Sequence, residues 1–351
     1  MNERERLAKP QKRVRRGIVR PIHILESRRG QELYIRLYVA LVGVPGQPDW
    51  KMARKAINAG ADVESLLNKE SRTPLMVAAI YGNAEMCAFL LNKRARIDAV
   101  DDDGCSALEL AAAMGGLDAC RVLVRKGADV NEKNIEYGSI PLMRAAAGGW
   151  TDVCRFLVSK GALVNSSNVL GYTALMSAAK QGKAETCRAL IGMGAETYPW
   201  DRDGVTAFIY AAKEGNPETC KAFLDNGSSV DEREYYSKQT PLMAAAAEGN
   251  VKNCKFLLEN GADFNATDRD GWTALMHAAK WRQIKTCILL LGNGADPSTE
   301  NCHSPPETAA GIARESGHNE VSAFLRMMET LGKDSVRLFL SDFRACIGQG
   351  I

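Results

Sequence analysis

From Thr73 onward the chain repeats itself about every 33 residues. The lines TPLMVAAIYGNAEMCAFLL from Thr73, TALMSAAKQGKAETCRALI from Thr173, TPLMAAAAEGNVKNCKFLL from Thr240 and TALMHAAKWRQIKTCILLL from Thr273 share one pattern, and weaker copies begin at Ser106, Ile140, Thr206 and Thr308. Successive starts lie 33, 34, 33, 33, 34, 33 and 35 residues apart. A unit this short cannot bury its apolar face alone, so a regular period makes the 351 residues one stacked array and not two or three closed domains.

Each line explains itself physically. Thr or Ser ahead of Pro or Ala is a helix start, because the hydroxyl caps free amides and Pro suits the first turn. Leu at offset two and Ala-Ala at offsets five and six then form a narrow apolar face that lets neighbouring helices approach closely. A glycine nine residues after the start (Gly82, Gly115, Gly149, Gly182, Gly215, Gly249, Gly317) suits the left-handed residue at a helix end. A second helix follows and stops at Gly127, Gly161, Gly194, Gly227, Gly261 or Gly294. The D-x-x-G tips at 101–104, 201–204 and 268–271 are tight turns. Each repeat therefore reads as helix, turn, helix, protruding hairpin.

This pattern resembles the ankyrin repeat, with its period of about 33 and its Thr-Pro-Leu-His-x-Ala signature, over roughly residues 31–327. The resemblance implies an all-α solenoid of about eight to nine helix-turn-helix units with β-hairpin loops. It also implies an interaction surface built from first helices and hairpin tips. Residues 1–30 are then a basic, disordered arm, 31–63 a degenerate amino-terminal cap repeat, 64–327 the repeats and 328–351 a carboxy-terminal capping helix. In the cap repeat, helices are expected at 33–42 and 50–59, interrupted by GVPGQP at 43–48. At the far end Val336, Phe339, Leu340, Phe343 and Ile347 fall at helical spacing behind Asp334 or Ser335.

Several positions depart from the family pattern. Arg282 stands where the first-helix glycine belongs, which predicts a different turn there, and Arg94 replaces a second-helix glycine. Met76, Met143, Met176, Met243 and Met276 occupy the family's His position, so its polar contact with the repeat-start Thr is expected to give way to apolar packing. Two intervals are one residue longer and carry Tyr137, or Tyr235 with Tyr236, at their tips. These are contact loops or tolerated hairpin variation.

Ten cysteines raise a disulfide or metal site as functions. Seven of them (Cys87, Cys120, Cys154, Cys187, Cys220, Cys254, Cys287) recur fourteen residues after a repeat start. Helices stacked roughly 10 Å apart hold their Cα atoms beyond the roughly 7 Å limit of a disulfide and too far apart to share one metal. They read as small buried filler, which implies a reducing compartment. No phosphate loop, HExxH or paired-Cys spacing occurs among the residues, and Cys302-His303 has no third partner in sight. The expected protein is not an enzyme and carries no metal or cofactor.

Contact positions in related arrays lie just before the repeat start and at offsets seven and eight. Here they hold Tyr172 and Lys180, then Trp200, Arg202 and Lys213, then Tyr236, then Arg269, Trp272, Lys280 and Trp281, with Trp150 nearby. Trp, Tyr and Arg dominate interface energetics, so these residues, with Tyr137 and Tyr235, are the candidate partner-binding set. Tyr172 and Trp272 read equally as packing between hairpins. The recurring Lys180, Lys213 and Lys280 favour an acidic stripe on the ligand, and Glu214 and Glu248 partly offset them.

The net charge of +3 conceals an asymmetry. Residues 1–30 hold ten basic and three acidic side chains, leaving 35 basic against 39 acidic in the rest. The arm, with Lys12, Arg13, Arg15, Arg16 and Arg20, suits an acidic partner: an import receptor, nucleic acid, tubulin tails or acidic lipid. The resulting expectation is a non-enzymatic cytoplasmic scaffold or adaptor that binds a protein on its concave face and an acidic partner on the arm. A nuclear location through the arm is the variant, and a mitochondrial one is disfavoured by Glu3 and Glu5. The rival readings are an RNA- or microtubule-associated component of a large assembly and a substrate receptor of a ubiquitin ligase. No apolar run approaches the roughly 20 residues of a membrane span.

Overall fold

The computed structural model describes residues 27–42, 48–331 and 335–336. Residues 1–26 of the arm, with its five candidate basic residues, residues 43–47 of the interruption, and 332–351 of the final segment except Ser335 and Val336 lie outside those residues. Among the described residues there are eighteen helices, opening with α1 (Arg28–Leu41) and α2 (Trp50–Asn58). Helix α1 starts inside the span assigned to the arm, because Ser27 caps it by accepting from the Gly30 amide at 2.9 Å.

The first helices of the eight later units are α3 (Pro74–Ile80), α5 (Ala107–Ala113), α7 (Pro141–Gly148), α9 (Ala174–Lys180), α11 (Ala207–Lys213), α13 (Pro241–Glu248), α15 (Ala274–Lys280) and α17 (Ala309–Glu315). They pack in consecutive order as an inner layer. The second helices are α4 (Ala84–Asn92), α6 (Leu117–Arg125), α8 (Thr151–Ser159), α10 (Ala184–Gly192), α12 (Pro217–Leu224), α14 (Val251–Glu259), α16 (Ile284–Gly292) and α18 (Asn319–Leu331). Through α16 they form the parallel outer layer, and α18 packs on α17. Helix α18 runs beyond the expected boundary at 327, and Val336 after it is buried. The hairpins are turns and not strands: the described residues hold only isolated bridges, Val100 with Ser106 and Trp200 with Thr206.

The alanines explain the close stacking. Ala78-Ala79, Ala111-Ala112, Ala145-Ala146, Ala178-Ala179, Ala211-Ala212, Ala245-Ala246 and Ala278-Ala279 are all fully buried between inner helices. The seven periodic cysteines are likewise buried and unpaired. Burial pushes each of their thiols up to about 12, so at neutral pH they are protonated filler and not nucleophiles.

Three expectations need correction. The thioethers of Met76, Met176, Met243 and Met276 accept the amide of the repeat-start Thr at 3.4–3.5 Å, while that Thr hydroxyl accepts the Met amide. The polar contact survives because sulfur can accept where His would. Arg282 adopts the same left-handed turn as its glycine counterparts, with φ 58°, and the same bonds from 282 to the Ala279 carbonyl and from 283 to that of Ala278. Gly215 lacks a positive φ, because Pro217 forces Asn216 to be extended (φ −137°, ψ 168°). What requires glycine there is space: a Cβ would sit 2.6 Å from the Ala211 carbonyl oxygen and 2.9 Å from that of Ala179.

Arg94 is also left-handed, at φ 68°, where the other second helices end in glycine. A side chain in that region costs about 1–2 kcal/mol. Arg94→Gly is therefore expected to stabilise the array by about 1 kcal/mol net of the extra chain entropy of glycine. Urea unfolding of the variant against the parent measures this.

Candidate protein-binding surface

Each inner helix runs from a hairpin tip to the turn that leads into its outer helix, so side chains sort by end. At the tip end, the hairpins are stitched by single backbone bonds: the Val169 amide to the Tyr137 carbonyl at 3.0 Å, Arg202 to Leu170 at 2.9 Å, Tyr235 to Gly204 at 3.0 Å and Arg269 to Ser237 at 2.8 Å. The tips thereby form a continuous ridge. Trp200 and Tyr235, 35 residues apart, stack with ring centroids 4.4 Å apart and planes 13° from parallel. Tyr236 meets Tyr235 edge-on at 5.0 Å and lies over Gly204, where a Cβ would stand 2.6 Å from its ring. Lys238 caps Tyr235 at 5.4 Å. All three rings remain about half exposed.

The ridge continues toward the amino terminus through residues that sequence reasoning missed. Val169 and Leu170 are exposed on the next tip, and Ile135, 79% exposed, stands beside Tyr137 on the one before. The available signal was the apolar residue directly after Asn168 and Asn134, where the tips at 101, 201 and 268 carry Asp102, Arg202 and Arg269. Tyr198, also missed, is exposed two residues before Trp200.

The tips are held from beneath by buried polar groups. Glu109 accepts from Ser139 Oγ at 3.1 Å, Arg144 Nε at 2.9 Å and Asn134 Nδ2 at 3.4 Å. Asn134 Oδ1 in turn accepts the amides of Glu136 and Tyr137, each at 2.9 Å. Two repeats on, Asp201 accepts the Tyr210 hydroxyl at 2.6 Å, and after two more Asp268 Oδ2 lies 2.9 Å from His277 Nε2. Burial alone would push the Asp268 carboxyl up. The His277 bond, with the Trp272 and Asp270 amides, holds it below its ordinary value. A carboxyl lowered in the fold stabilises it above the unfolded-state pKa and loses that contribution as pH falls through the folded value. Asp268→Asn, which mimics the protonated acid, is expected to lower Tm near neutrality, with the difference closing below about pH 4.

Along the inner helices two of the three candidate lysines, Lys180 and Lys280, lie over aromatic rings. Lys280 sits 4.9 Å from the Trp272 centroid and 5.8 Å from that of Trp281, joining the two ends of α15. Lys180 sits 6.0 Å from Tyr172 and 5.4 Å from Tyr210. Tyr172 and Trp272 are half-buried: Tyr172 packs on Tyr210 at 5.0 Å, and Trp272 packs between His277 and His303. Lys180 and Lys213 are paired with Glu214 and Glu248 of the following repeat at 3.4 and 3.3 Å. That neutralisation removes the case for an acidic stripe opposite a row of three lysines. Arg202 and Arg269 are exposed on their tips.

Trp150 does not join the others. It precedes α8 at the turn end, where its indole lies over Gly115 and Gly148 and its Nε1 donates to the Ala113 carbonyl at 2.8 Å. It latches one repeat to the previous one beside an open cleft of about 290 Å³. Among the described residues no three or more His, Cys, Asp or Glu side chains are arranged to hold a metal ion, and no helix is long and apolar enough to cross a membrane.

The family model for ankyrin repeats matches residues 46–134, 132–201 and 208–301. Similar stretches occur in neurogenic locus notch homolog protein 1 of Mus musculus, 38% identical over 77 residues, or 22% of this chain and 3% of that protein. The B-cell lymphoma 3 protein homolog of Mus musculus is 37% identical over 87 residues, 25% of this chain and 19% of that one. Tyrosine-protein kinase Shark of Drosophila melanogaster is 32% identical over 75 residues, 21% and 8% of the two chains. The chain thus spans less than a fifth of the length of each relative. Ankyrin repeats generally mediate protein–protein interaction. With eight units in register and the family pattern matched across most of its length, the chain belongs to the ankyrin-repeat family.

Proposed function

We propose that the chain is a non-enzymatic scaffold that binds a protein partner across its hairpin tips and concave face, with Trp200, Tyr235 and Tyr236 at the centre. The observation that carries this reading is the exposed ring stack of Trp200 on Tyr235. Large aromatic groups held rigid and open to water have little ordering entropy left to lose and much area left to bury. Trp272, Lys280 and Trp281 extend the surface along α15. The basic arm supplies a second contact, for an acidic partner, and the working location is the cytoplasm.

The test is affinity capture from lysate with the full chain against a Trp200→Ala/Trp272→Ala/Trp281→Ala variant whose circular dichroism is unchanged. Loss of specific partners supports the reading, and an identical set of captured proteins refutes it. Removing residues 1–26 examines the arm separately and leaves Ser27 to cap α1. Capture of RNA that falls steeply between about 50 and 200 mM salt, and disappears with the arm, would replace the protein-scaffold reading with the RNA one.

A further inference from the structure

The apolar ridge is bounded on both sides. Its residues lie on four consecutive tips, at 135–137, 169–170, 200 and 235–236, whereas the tip before presents Asp102 and Asp103 and the tip after presents Arg269 and Asp270. We propose that this ridge is a self-association surface, occupied by a second copy of the chain in antiparallel, two-fold register. The proposal rests on reading the ridge as a protein-binding surface and names its occupant.

Area comes first. The seven apolar side chains on these tips are between 45% and 79% exposed. With roughly 150–250 Å² for a whole aromatic side chain, they leave on the order of 700 Å² open. That exceeds the largest apolar patch of most monomers, about 300–600 Å², and nearly supplies the ~800 Å² per partner of a standard interface before any polar rim is added. At a spacing of about 8–10 Å per repeat, the ridge is roughly 30 Å long.

Order and charge favour a second copy. A two-fold axis through the middle of the ridge brings the tip of one copy at 134–139 onto that of the other at 234–238, and the 168–171 tip onto 200–204. Aromatic ends then meet aromatic ends around an aliphatic and indole centre. In this register exposed Glu136 faces exposed Lys238, which is the charge match that sets it, while one tip further out Asp102 and Asp103 face a tip that carries both Arg269 and Asp270. A parallel arrangement would set each tip on its own copy, Lys238 on Lys238 and Asp102 on Asp102, so like charges would meet. An isologous, self-complementary patch is what a closed dimer requires.

Sedimentation velocity of the full chain from about nanomolar to about 100 µM tests this. The expected result is a monomer–dimer equilibrium with Kd micromolar or tighter. Trp200→Ala/Tyr235→Ala should weaken it at least tenfold, with the circular dichroism unchanged. Glu136→Lys and Lys238→Glu should each weaken it, and the two reversals together should recover it. A wild-type chain that stays monomeric overturns the proposal, as does a dimer indifferent to Trp200 and Tyr235 or one that the paired reversals fail to restore. A monomer that still captures a cellular protein through Trp200 and Tyr235 overturns self-association and leaves the binding reading standing. A monomer that captures nothing through them ends both.

Discussion

Glu109→Ala is expected to lower the unfolding free energy by about 3 kcal/mol and to loosen the 134–139 tip. The carboxylate is buried, 4% exposed as a side chain, and is the common acceptor for Ser139, Arg144 and Asn134. Alanine leaves the Ser139 hydroxyl and one Asn134 donor direction without that acceptor, each worth roughly 1–3 kcal/mol when buried. Arg144 is less costly, because its side chain is 38% exposed and can turn to water. Glu109→Gln retains an acceptor oxygen and should cost about half as much. Denaturant unfolding gives the free energies. Hydrogen exchange at the amides of Glu136 and Tyr137, both bonded to Asn134 Oδ1, reports the tip directly. A loosened tip should weaken anything that the ridge binds, so the Glu109 network links packing beneath the surface to recognition on it.

Much of the fold is written locally and was legible for that reason. Thr173, Thr206 and Thr240 each cap the helix that follows, and Gly149 and Gly249 take the left-handed conformation that ends α7 and α13. Such signals act within a few residues and repeat at every period. Gly215 was misread because Pro217, two residues on, decides the turn, leaving glycine to be required by the carbonyls of Ala211 in its own helix and Ala179 in the previous repeat. The methionine caps were missed because the position was read as lacking a polar partner, although a thioether can accept. The site was legible residue by residue and not as an arrangement. Trp200 and Tyr235 were each chosen from the sequence, but their stacking depends on the one-residue offsets between hairpins, which no spacing rule reports. The lysine row shows the same limit: Glu214 and Glu248 were legible as partial offsets, but their pairing with Lys180 and Lys213 of the preceding repeats was not.

Phe208→Ala is expected to be the most damaging single change, at about 3–5 kcal/mol. Among the described residues Phe208 and Phe223 are the largest fully buried side chains, and they stack at 5.4 Å with planes 16° apart, tying α11 to α12 inside one repeat. The surrounding helices are stacked through alanines, so they have few long side chains with which to fill the space left by a lost ring. In a compact domain this would lower one cooperative transition. A repeat array differs, because its stability is a sum of unit terms and nearest-neighbour terms. Helix α11 contacts α9 on one side and α13 on the other, so a weakened unit lies between two stretches that each keep their own stacking. The expected unfolding curve therefore broadens or splits in two, and hydrogen exchange should accelerate first in α11 and α12 while α5 to α8 stay protected. A single transition shifted intact to lower denaturant would show that the interfaces between repeats, and not the aromatic pair within one, carry the cooperativity of this chain.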